Sequence, residues 1–309
     1  MRVDDVWNFA RERHSVYLRR AAGAPAPWTT DPVIGRYKFT NVYRELDRTT
    51  QWFVRYVRDP LKQQPEVLLA TVLFRWFNRV RTGEAIFLQQ QLLGPAPAGD
   101  DYATAWAQYA GGAPVDVLRA AVRGYCGRGP YVTGAFMVKT PDGMQKLDGV
   151  LWCVEQFKTR TAPAHPSTGA GAVAFGWREV AEGHLAHPGD FSLEWFHHWL
   201  TGFPYMGSFM AAQVVADLKY TALLDKAPDW HTWAASGPGS RRGLNLACGR
   251  PVGASWREAD WLSALQQLRE ALLPRFVDAG WPAPHAQDVQ NICCEFSKYT
   301  RGSSRNRYP

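Results

Sequence analysis

Apolar residues recur every three or four positions along most of the chain, which is the spacing of one face of a helix. This pattern predicts helices over residues 4–22, 39–57, 65–80 and 101–124, and again over most of the chain from Leu193 onward. The last region carries one apolar stripe, formed by Trp261, Leu265, Leu268, Leu272 and Phe276. We therefore predict a mainly α protein.

The helical pattern is interrupted in the middle of the chain. The stretches "GAFMVKT", "PDG" and "LDGVLWCVEQF", between residues 124 and 157, predict a small β-hairpin or an irregular excursion. The Gly-, Ala- and Pro-rich stretch "APAHPSTGAGAVAFG" that follows predicts a surface linker. We expect a single helical domain over residues 1–309. Two lobes, 1–124 and 190–309, joined by an irregular or β insertion at 125–189, are the other option.

Composition and charge narrow the class of protein. With 309 residues and 46% hydrophobic residues the chain can bury a large core, and it has no apolar run long enough to cross a membrane. The charged N-terminus is unlike a signal peptide, so we expect a cytoplasmic protein that does not bind membranes. The five cysteines lack the spacing of zinc ligands, so we expect reduced packing thiols and no metal site. A net charge of +7 favours a polyanionic partner.

The stretch "FTNVYRELDRTTQWFVRYV", residues 39–57, predicts a helix with one basic face. At 100° per residue that face carries Arg44, Arg48, Gln51, Arg55 and Arg58, and Lys38 and Asn41 precede it. Asp47 borders the stripe and can orient a guanidinium by pairing with it. An anion-binding face and an ordinary solvated stripe of surface ion pairs are both consistent with this pattern.

Residues 199–218, "WLTGFPYMGSFMAAQVVADL", follow the order of a helix-hairpin-helix. In that element the backbone N–H groups of the turn meet a DNA phosphate at a helix N-terminus. Gly207 and Ser208 are the expected contacts. Tyr205 occupies the position of the usual first glycine, so a plain turn between two helices remains an alternative.

Two further stretches carry candidate polar groups. "SGPGSRRGLN", residues 236–245, predicts either a glycine-rich loop that approaches phosphate or an ordinary surface loop. It is not a nucleotide-binding P-loop. The C-terminal helix "DVQNICCEFSKYTRG" has one polar face, for which a simple surface ion pair is the alternative to a site. Its members are Asp288, Asn291, Glu295 and Lys298.

Four blocks in this order, "RYKFTNVYRELDRTTQW", "GSFMAAQVVADL", "GPGSRRGL" and "CEFSKYTR", resemble the α-glutamyl/putrescinyl thymine pyrophosphorylase family of phage DNA hypermodification proteins. The helical domain of 5-hydroxymethyl-deoxyuridine (5-hmdU) DNA kinases looks like a close relative. The resemblance implies a DNA-glycosylase-like helical fold in the cytoplasm of an infected bacterium. The implied activity is an amino acid:DNA transferase that displaces pyrophosphate from 5-pyrophosphoryloxymethyl-uracil in duplex DNA. The partners are then this DNA and a free amino acid, with glycine as our guess.

Under this resemblance each candidate residue receives a role. A carboxylate deprotonates the amine, for which Glu295, Glu45 and Asp47 are the options. Arg44, Arg48, Arg242 and Lys298 neutralise pyrophosphate, and Gln51, Lys38 and Asn41 add substrate contacts. Tyr43 or Tyr299 stacks on an extruded uracil. The expected DNA contacts are Gly207, Ser208, Gly237, Gly239, Ser240 and Arg241.

Other functions remain open at this stage. No cofactor is evident from the sequence, and a divalent metal requirement is undecided. A kinase is disfavoured because no Walker motif occurs in the sequence. A base-excising glycosylase would need an Asp after the hairpin helix, and Asp217, Asp225 and Asp229 lack a convincing spacing. A non-catalytic DNA-binding subunit of a modification complex is the alternative from a different class.

Overall fold

The computed structural model describes residues 1–88, 104–134, 136, 138–163 and 174–302. The chain folds into two compact units. Unit 1 comprises Met1–Asp47 and His231–Pro309, and unit 2 comprises Arg48–Trp230. Unit 2 is thus one continuous stretch of sequence set between the two parts of unit 1. The predicted lobes, 1–124 and 190–309, follow other boundaries, and a single domain over the whole chain stays a prediction.

The described chain is mainly helical, as predicted, with one small pair of strands. The α-helices, in chain order, are α1 (Val3–Ala21), α2 (Pro32–Arg36), α3 (Arg48–Phe53), α4 (Asp59–Leu61), α5 (Glu66–Phe77), α6 (Val80–Gly83), α7 (Ala105–Ala110), α8 (Asp116–Cys126), α9 (Lys146–Thr159), α10 (Trp177–Ala186), α11 (Leu193–Thr201), α12 (Ser208–Leu218), α13 (Pro238–Ala247), α14 (Glu258–Asp278) and α15 (Ala286–Tyr299). A 3₁₀ turn spans Arg44–Leu46, and π-helical segments span Val54–Arg58 and Glu84–Leu88.

Unit 1 is built around the apolar stripe predicted on α14. All five residues of that stripe are fully buried, and they share a core with apolar side chains of α1 and α15. Helix α1 matches its predicted range, but Asp4 lies in the first turn and does not cap it. Burial of one apolar face on each long helix therefore accounts for the core of this unit.

Unit 2 has α5 at its centre. Every residue of α5 from Val67 to Phe77 is buried, as expected for a helix that is apolar all round. Arg75 is the one charged residue in that run. The helix ends at Asn78, which adopts the left-handed conformation with φ 43°.

The prediction of one helix over residues 39–57 is wrong. Residues 41–47 fold as a loop around the 3₁₀ turn, and α3 begins only at Arg48. Side chains close this loop, because Asn41 Nδ2 donates to the carbonyl oxygen of Leu46 at 2.9 Å and the Asn41 amide donates to Asp47 Oδ1 at 3.1 Å. Short polar side chains compete with a helix in this way. Arg44 and Arg48 consequently do not share a helix face.

The predicted strand pair exists, but at a different place. Residues 147–157, predicted as part of a hairpin or irregular excursion, lie within helix α9. Strand β1 (Thr161–Pro163) pairs with strand β2 (Ala174–Gly176) in antiparallel register, with Ala162 opposite Phe175. These strands fall at the two ends of the predicted linker, whose residues 164–173 lie outside the described part of the chain. None of the described helices is long and apolar enough to cross a bilayer.

Candidate functional site

Unit 1 contains a polar cluster where residues 39–47 meet α1 and α15. Arg13 of α1 is buried and holds this segment by its backbone. It donates from Nη2 to the carbonyl oxygen of Phe39 at 2.8 Å and to Asn41 Oδ1 at 2.7 Å, and from Nε to the carbonyl of Thr40 at 3.1 Å. Arg13 was not among the residues predicted from the sequence, because it is a single arginine inside an apolar pattern.

Helix α15 supplies the other wall of the polar cluster. Asn291, Glu295 and Lys298 lie on one face, as predicted from their spacing. Lys298 Nζ lies 2.5 Å from Glu295 Oε1, and the Thr40 amide donates to Glu295 Oε2 at 3.3 Å. Asn291 Nδ2 donates to the carbonyl oxygen of Asn41 at 2.8 Å. Residues 40 and 41, near the start of the chain, are therefore in contact with the polar face of the C-terminal helix within this unit.

Asp47 and Glu295 differ in their surroundings. Burial raises the pKa of Asp47, and the negative charge of Glu295 acts in the same direction, while the Asn41 amide, Arg44 and Arg13 oppose the shift. Glu295 is 4% exposed and is paired with an ammonium group. Two carboxylates in unlike environments are a common arrangement for proton transfer.

A cationic edge borders the polar cluster. Arg242 directly precedes Gly243, which packs against Cys293, and Arg301 follows the end of α15. Burial raises the pKa of the Cys294 thiol and the charge of Glu295 acts in the same direction, while the positive charges of Lys298, Arg242 and Arg301 oppose the shift. Arg242 and Arg301 are exposed. Such a group of cations suits a multiply charged anion such as pyrophosphate. Arg301, which follows the C-terminal helix, was not among the candidates from sequence.

The two tyrosines predicted to stack on a base make internal contacts. The Tyr299 ring lies 4.9 Å from that of Phe9, and its hydroxyl donates to Asp31 Oδ2 at 2.7 Å. The Tyr43 ring packs against His14 at 5.2 Å, and its hydroxyl donates to the carbonyl oxygen of Pro282 at 2.7 Å. Burial raises the pKa of both phenols. These contacts explain both tyrosines without a ligand, and the stacking role stays a prediction.

The predicted glycine-rich loop at residues 236–245 is largely helix α13. A Cβ on Gly243 would lie 1.8 Å from the carbonyl oxygen of Cys293, and one on Gly239 would lie 2.5 Å from Cys294 Sγ. These two glycines therefore let α13 pack closely against α15. At the start of the helix, Ser240 Oγ accepts from the Gly237 amide at 3.0 Å.

Arg241 is used in a similar internal way. Its guanidinium contacts Ser236 Oγ at 2.9 Å, the carbonyl oxygen of Trp256 at 3.2 Å and Glu258 Oε2 at 2.5 Å. The contacts described above give a structural role within the fold to Gly237, Gly239, Ser240 and Arg241. Their DNA-binding roles stay predictions.

In unit 2, helices α11 and α12 flank the predicted hairpin turn. Gly207 precedes the first residue of α12, and a Cβ there would meet no atom within 4 Å. Among the described residues, the backbone amides of Gly207, Ser208 and Phe209 donate no backbone hydrogen bond. Tyr205 has φ 62°, a left-handed conformation that costs a non-glycine residue roughly 1–2 kcal/mol. The turn thus keeps the backbone that a glycine would favour, although the residue is tyrosine.

The remaining basic candidates divide between the units. Lys38 is exposed and belongs to unit 1, whereas Arg48, Gln51 and Arg55 are exposed in unit 2. Arg58 was predicted on the same basic face but is 6% exposed. Its guanidinium lies over the ring of Tyr220 at 4.9 Å. The substrate roles of Lys38, Arg48 and Gln51 stay predictions.

Two of the three aspartates considered for a glycosylase, Asp217 and Asp229, form internal hydrogen bonds that stabilise the fold. Asp217 is fully buried in α12 and accepts from Arg75 Nε at 2.5 Å and Nη2 at 2.8 Å. Asp229 accepts hydrogen bonds from the amides of Leu193 and Glu194 at 2.7 and 3.1 Å, at the start of α11.

In the described part of the chain, no three His, Cys, Asp or Glu side chains gather as metal ligands.

Comparison with known proteins identifies a family for this architecture. The family model described as 5-hmdU DNA kinase, helical domain, matches residues 1–307. The chain is also 39% identical to the 5-hmdU DNA kinase of Bacillus phage SP10 over 80 residues, which are 24% of this chain and 13% of the phage protein. The match therefore covers only a small part of that relative. No solved structure matches.

Proposed function

Because the chain belongs to the family of the 5-hmdU DNA kinase helical domain, we propose that it acts in phage DNA base modification. We further propose that it is an amino acid:DNA transferase, which replaces the pyrophosphate of 5-pyrophosphoryloxymethyl-uracil in duplex DNA with an amino acid. The observation that carries the proposal is the pair of hydrogen bonds that joins Thr40 to Glu295 and Asn41 to Asn291, and so brings the start of the 41–47 loop against the polar face of α15.

The cationic edge supplies the electrostatic part of the reaction. As the bond from the methylene carbon to the pyrophosphate oxygen breaks, negative charge develops on the leaving group. Lys298 and the exposed Arg242 and Arg301 are the groups we assign to hold that charge. Arg44 lies on the loop side of the polar cluster, and we assign it the same task.

Asp47 is our choice for the proton acceptor. The attacking amine must be neutral, and a carboxylate whose pKa is raised by burial accepts a proton more readily near neutral pH than an ordinary aspartate. Glu295, already paired with Lys298, positions the ammonium group and the Thr40 backbone. Glu45 remains the third carboxylate of the loop.

The Asp47→Asn variant is expected to lower turnover by about 100-fold, since this is the lower range for loss of a general base. With wild-type protein, turnover should fall as the pH drops through the raised pKa of Asp47, because protonation removes the acceptor. The variant should lose the part of this decline that Asp47 causes and keep the part that protonation of the amine substrate causes. Steady-state rates of pyrophosphate release between pH 4 and 8 measure both effects.

Two controls accompany that measurement. Glu295→Gln keeps the size of the side chain and should reduce turnover without removing the acidic limb. Circular dichroism should show that both variants keep the helical content of the wild type. An Asp47→Asn variant with the wild-type pH profile would exclude this residue as the base and leave Glu295 or Glu45.

The hairpin turn is the proposed contact to the DNA backbone. We expect Gly207→Ala to weaken duplex binding by about tenfold, because a methyl group would stand where a phosphate approaches the open amides. The backbone of Gly207, with φ −69° and an open Cβ position, accepts alanine. Gly183→Ala in α10 is a matched control, since its Cβ also meets no atom within 4 Å. Fluorescence anisotropy with a labelled duplex at fixed salt measures the change.

The direct test of the proposed reaction uses DNA that carries 5-pyrophosphoryloxymethyl-uracil, incubated with mixed amino acids. Mass spectrometry of the digested nucleosides should reveal an aminoacyl base, together with released pyrophosphate. Tight binding of the same DNA without any product would instead favour the second candidate, a non-catalytic DNA-binding part of a modification complex. The specific observation that favours this candidate is the match to a helical domain named after a kinase, in a sequence without a Walker motif.

A further inference from the structure

Unit 2 exposes aromatic side chains around the hairpin turn. Tyr205 is 43% exposed and Phe209 is 53% exposed, and the two stand on either side of Gly207. Tyr205 meets the ring of Trp152 edge-on at 5.8 Å, and Phe209 meets that of Phe136 at 4.9 Å. Large exposed apolar side chains that adjoin one another mark a contact surface more often than isolated ones do.

Trp152 also forms a wall of a groove between α8 and α9. The groove has a volume of about 350 Å³, within the range of small-molecule sites, roughly 300–1,000 Å³. Donors and acceptors line the groove together with this ring. The lining residues include Arg119, Met144, Gln145, Trp152 and Glu155.

Two polar groups of the groove, those of Glu155 and Arg119, are held by hydrogen bonds. Glu155 accepts from the hydroxyl of Tyr109 at 3.0 Å, and Tyr109 is fully buried. Arg119 is oriented by Asp148, which accepts from its Nε at 2.8 Å, and by Asp116. The exposed carboxamide of Gln145 offers a donor and an acceptor side by side.

The groove combines an aromatic side chain with hydrogen-bond donors and acceptors. A ligand that fits it is a flat ring with donors and acceptors on its edge. An aromatic wall stacks on any base, and amide, guanidinium and carboxylate groups bond to base edges. A small free amine would need the carboxylate but not the aromatic pair of Trp152 and Tyr205 beside it. The neighbouring turn offers open amides to a phosphate, so base and phosphate of one strand find partners side by side.

We propose that the groove between α8 and α9 binds an unpaired nucleobase of a DNA strand, with Trp152 as the ring on which the base stacks and Tyr205 held edge-on against that ring. The inference rests on the proposed contact of the hairpin turn with DNA. It adds a substrate class, because a strand with unpaired bases should bind more tightly than a fully paired duplex of the same length.

The test compares single-stranded and duplex oligonucleotides, the single strand carrying the fluorescent base 2-aminopurine. Tyr205→Gly removes the ring while the left-handed backbone accepts glycine without strain, so the turn should keep its shape. Trp152→Leu removes the other ring. Each variant should lose about 5- to 150-fold in affinity for the single strand, the range expected from the stacking of one base. Quenching of 2-aminopurine should fall in parallel, and the Trp152→Leu variant, whose ring lies outside the turn, should keep its duplex affinity.

Tyr56→Ala is the matched control, since Tyr56 is a 36% exposed tyrosine of the same unit away from the groove. It should leave affinity and quenching unchanged. If Gly207→Ala weakens duplex binding while Tyr205→Gly and Trp152→Leu leave single-strand binding intact, the nucleobase site is refuted and the DNA contact of the turn stands. Absence of binding to any DNA overturns both. Quenching of tryptophan fluorescence by free amino acids alone would reassign the groove to a small amine.

Discussion

Gly243→Ala is expected to destabilise unit 1 by at least about 3 kcal/mol, the upper range for an overpacked core, out of a total of about 5–15 kcal/mol for a folded domain. The added Cβ would stand 1.8 Å from the carbonyl oxygen of Cys293, which is backbone and cannot rotate away. Helices α13 and α15 would have to separate, and α15 carries Glu295 and Lys298. Urea unfolding followed by circular dichroism measures the loss, and turnover should fall with it.

Substitutions at two other glycines of unit 1 serve as comparisons for this loss of stability. Gly239→Ala places its Cβ 2.5 Å from Cys294 Sγ, the end of a side chain that can move, so a smaller loss is expected. Gly253→Ala meets no atom within 4 Å and should behave like the wild type. A Gly243→Ala variant with the unfolding midpoint of the Gly253→Ala variant would show that α13 and α15 are not packed as described.

Asp217→Ala should destabilise unit 2 by about 3–5 kcal/mol, the cost of leaving one partner of a buried ion pair without the other. The Arg75 guanidinium is 2% exposed and donates twice to this carboxylate. Removal of the carboxylate strands a positive charge between α5 and α12. Thermal and urea unfolding of the variant measure the effect.

A double variant separates charge from packing at this pair. Arg75→Met combined with Asp217→Leu removes both charges and keeps apolar volume, so it should recover a large part of the lost stability. Asp260→Ala, which breaks the exposed pair with Arg257, is the surface control and should change little. A loss at Asp217 no larger than at Asp260 would contradict the burial of the pair.

The long apolar patterns predicted the helices and the core well. The apolar stripe on α14 and the apolar run of α5 each predicted a buried helix face, and the residues of both are buried. Residues 39–57 had competing features. Their helical spacing was outweighed by the side chains of Asn41 and Asp47, whose bonds close a loop, and by Arg13 from a distant helix. Hydrogen bonds between residues that are far apart in the chain produce no periodic pattern in the sequence.

The roles of the glycines were the hardest to predict from this sequence. Gly239 and Gly243 suggested a ligand-binding loop, but a missing side chain serves a close helix contact equally well, and only the position of α15 decides between the two. The hairpin shows the reverse case. Tyr205 argued against a glycine-like turn, yet its backbone adopts the left-handed conformation, because neighbouring contacts override the preference of a single residue.

The division of the chain into units has a consequence for how the protein is made. Unit 2 is continuous, so all of its contacts are available once residue 230 has left the ribosome. The polar cluster of unit 1 joins Thr40 to Glu295 across 255 positions and must wait for α15. Domains fold as they emerge during synthesis. The hairpin turn is therefore complete while the Asp47–Glu295 cluster does not yet exist, and a nascent chain acquires its proposed DNA contact before its proposed chemistry.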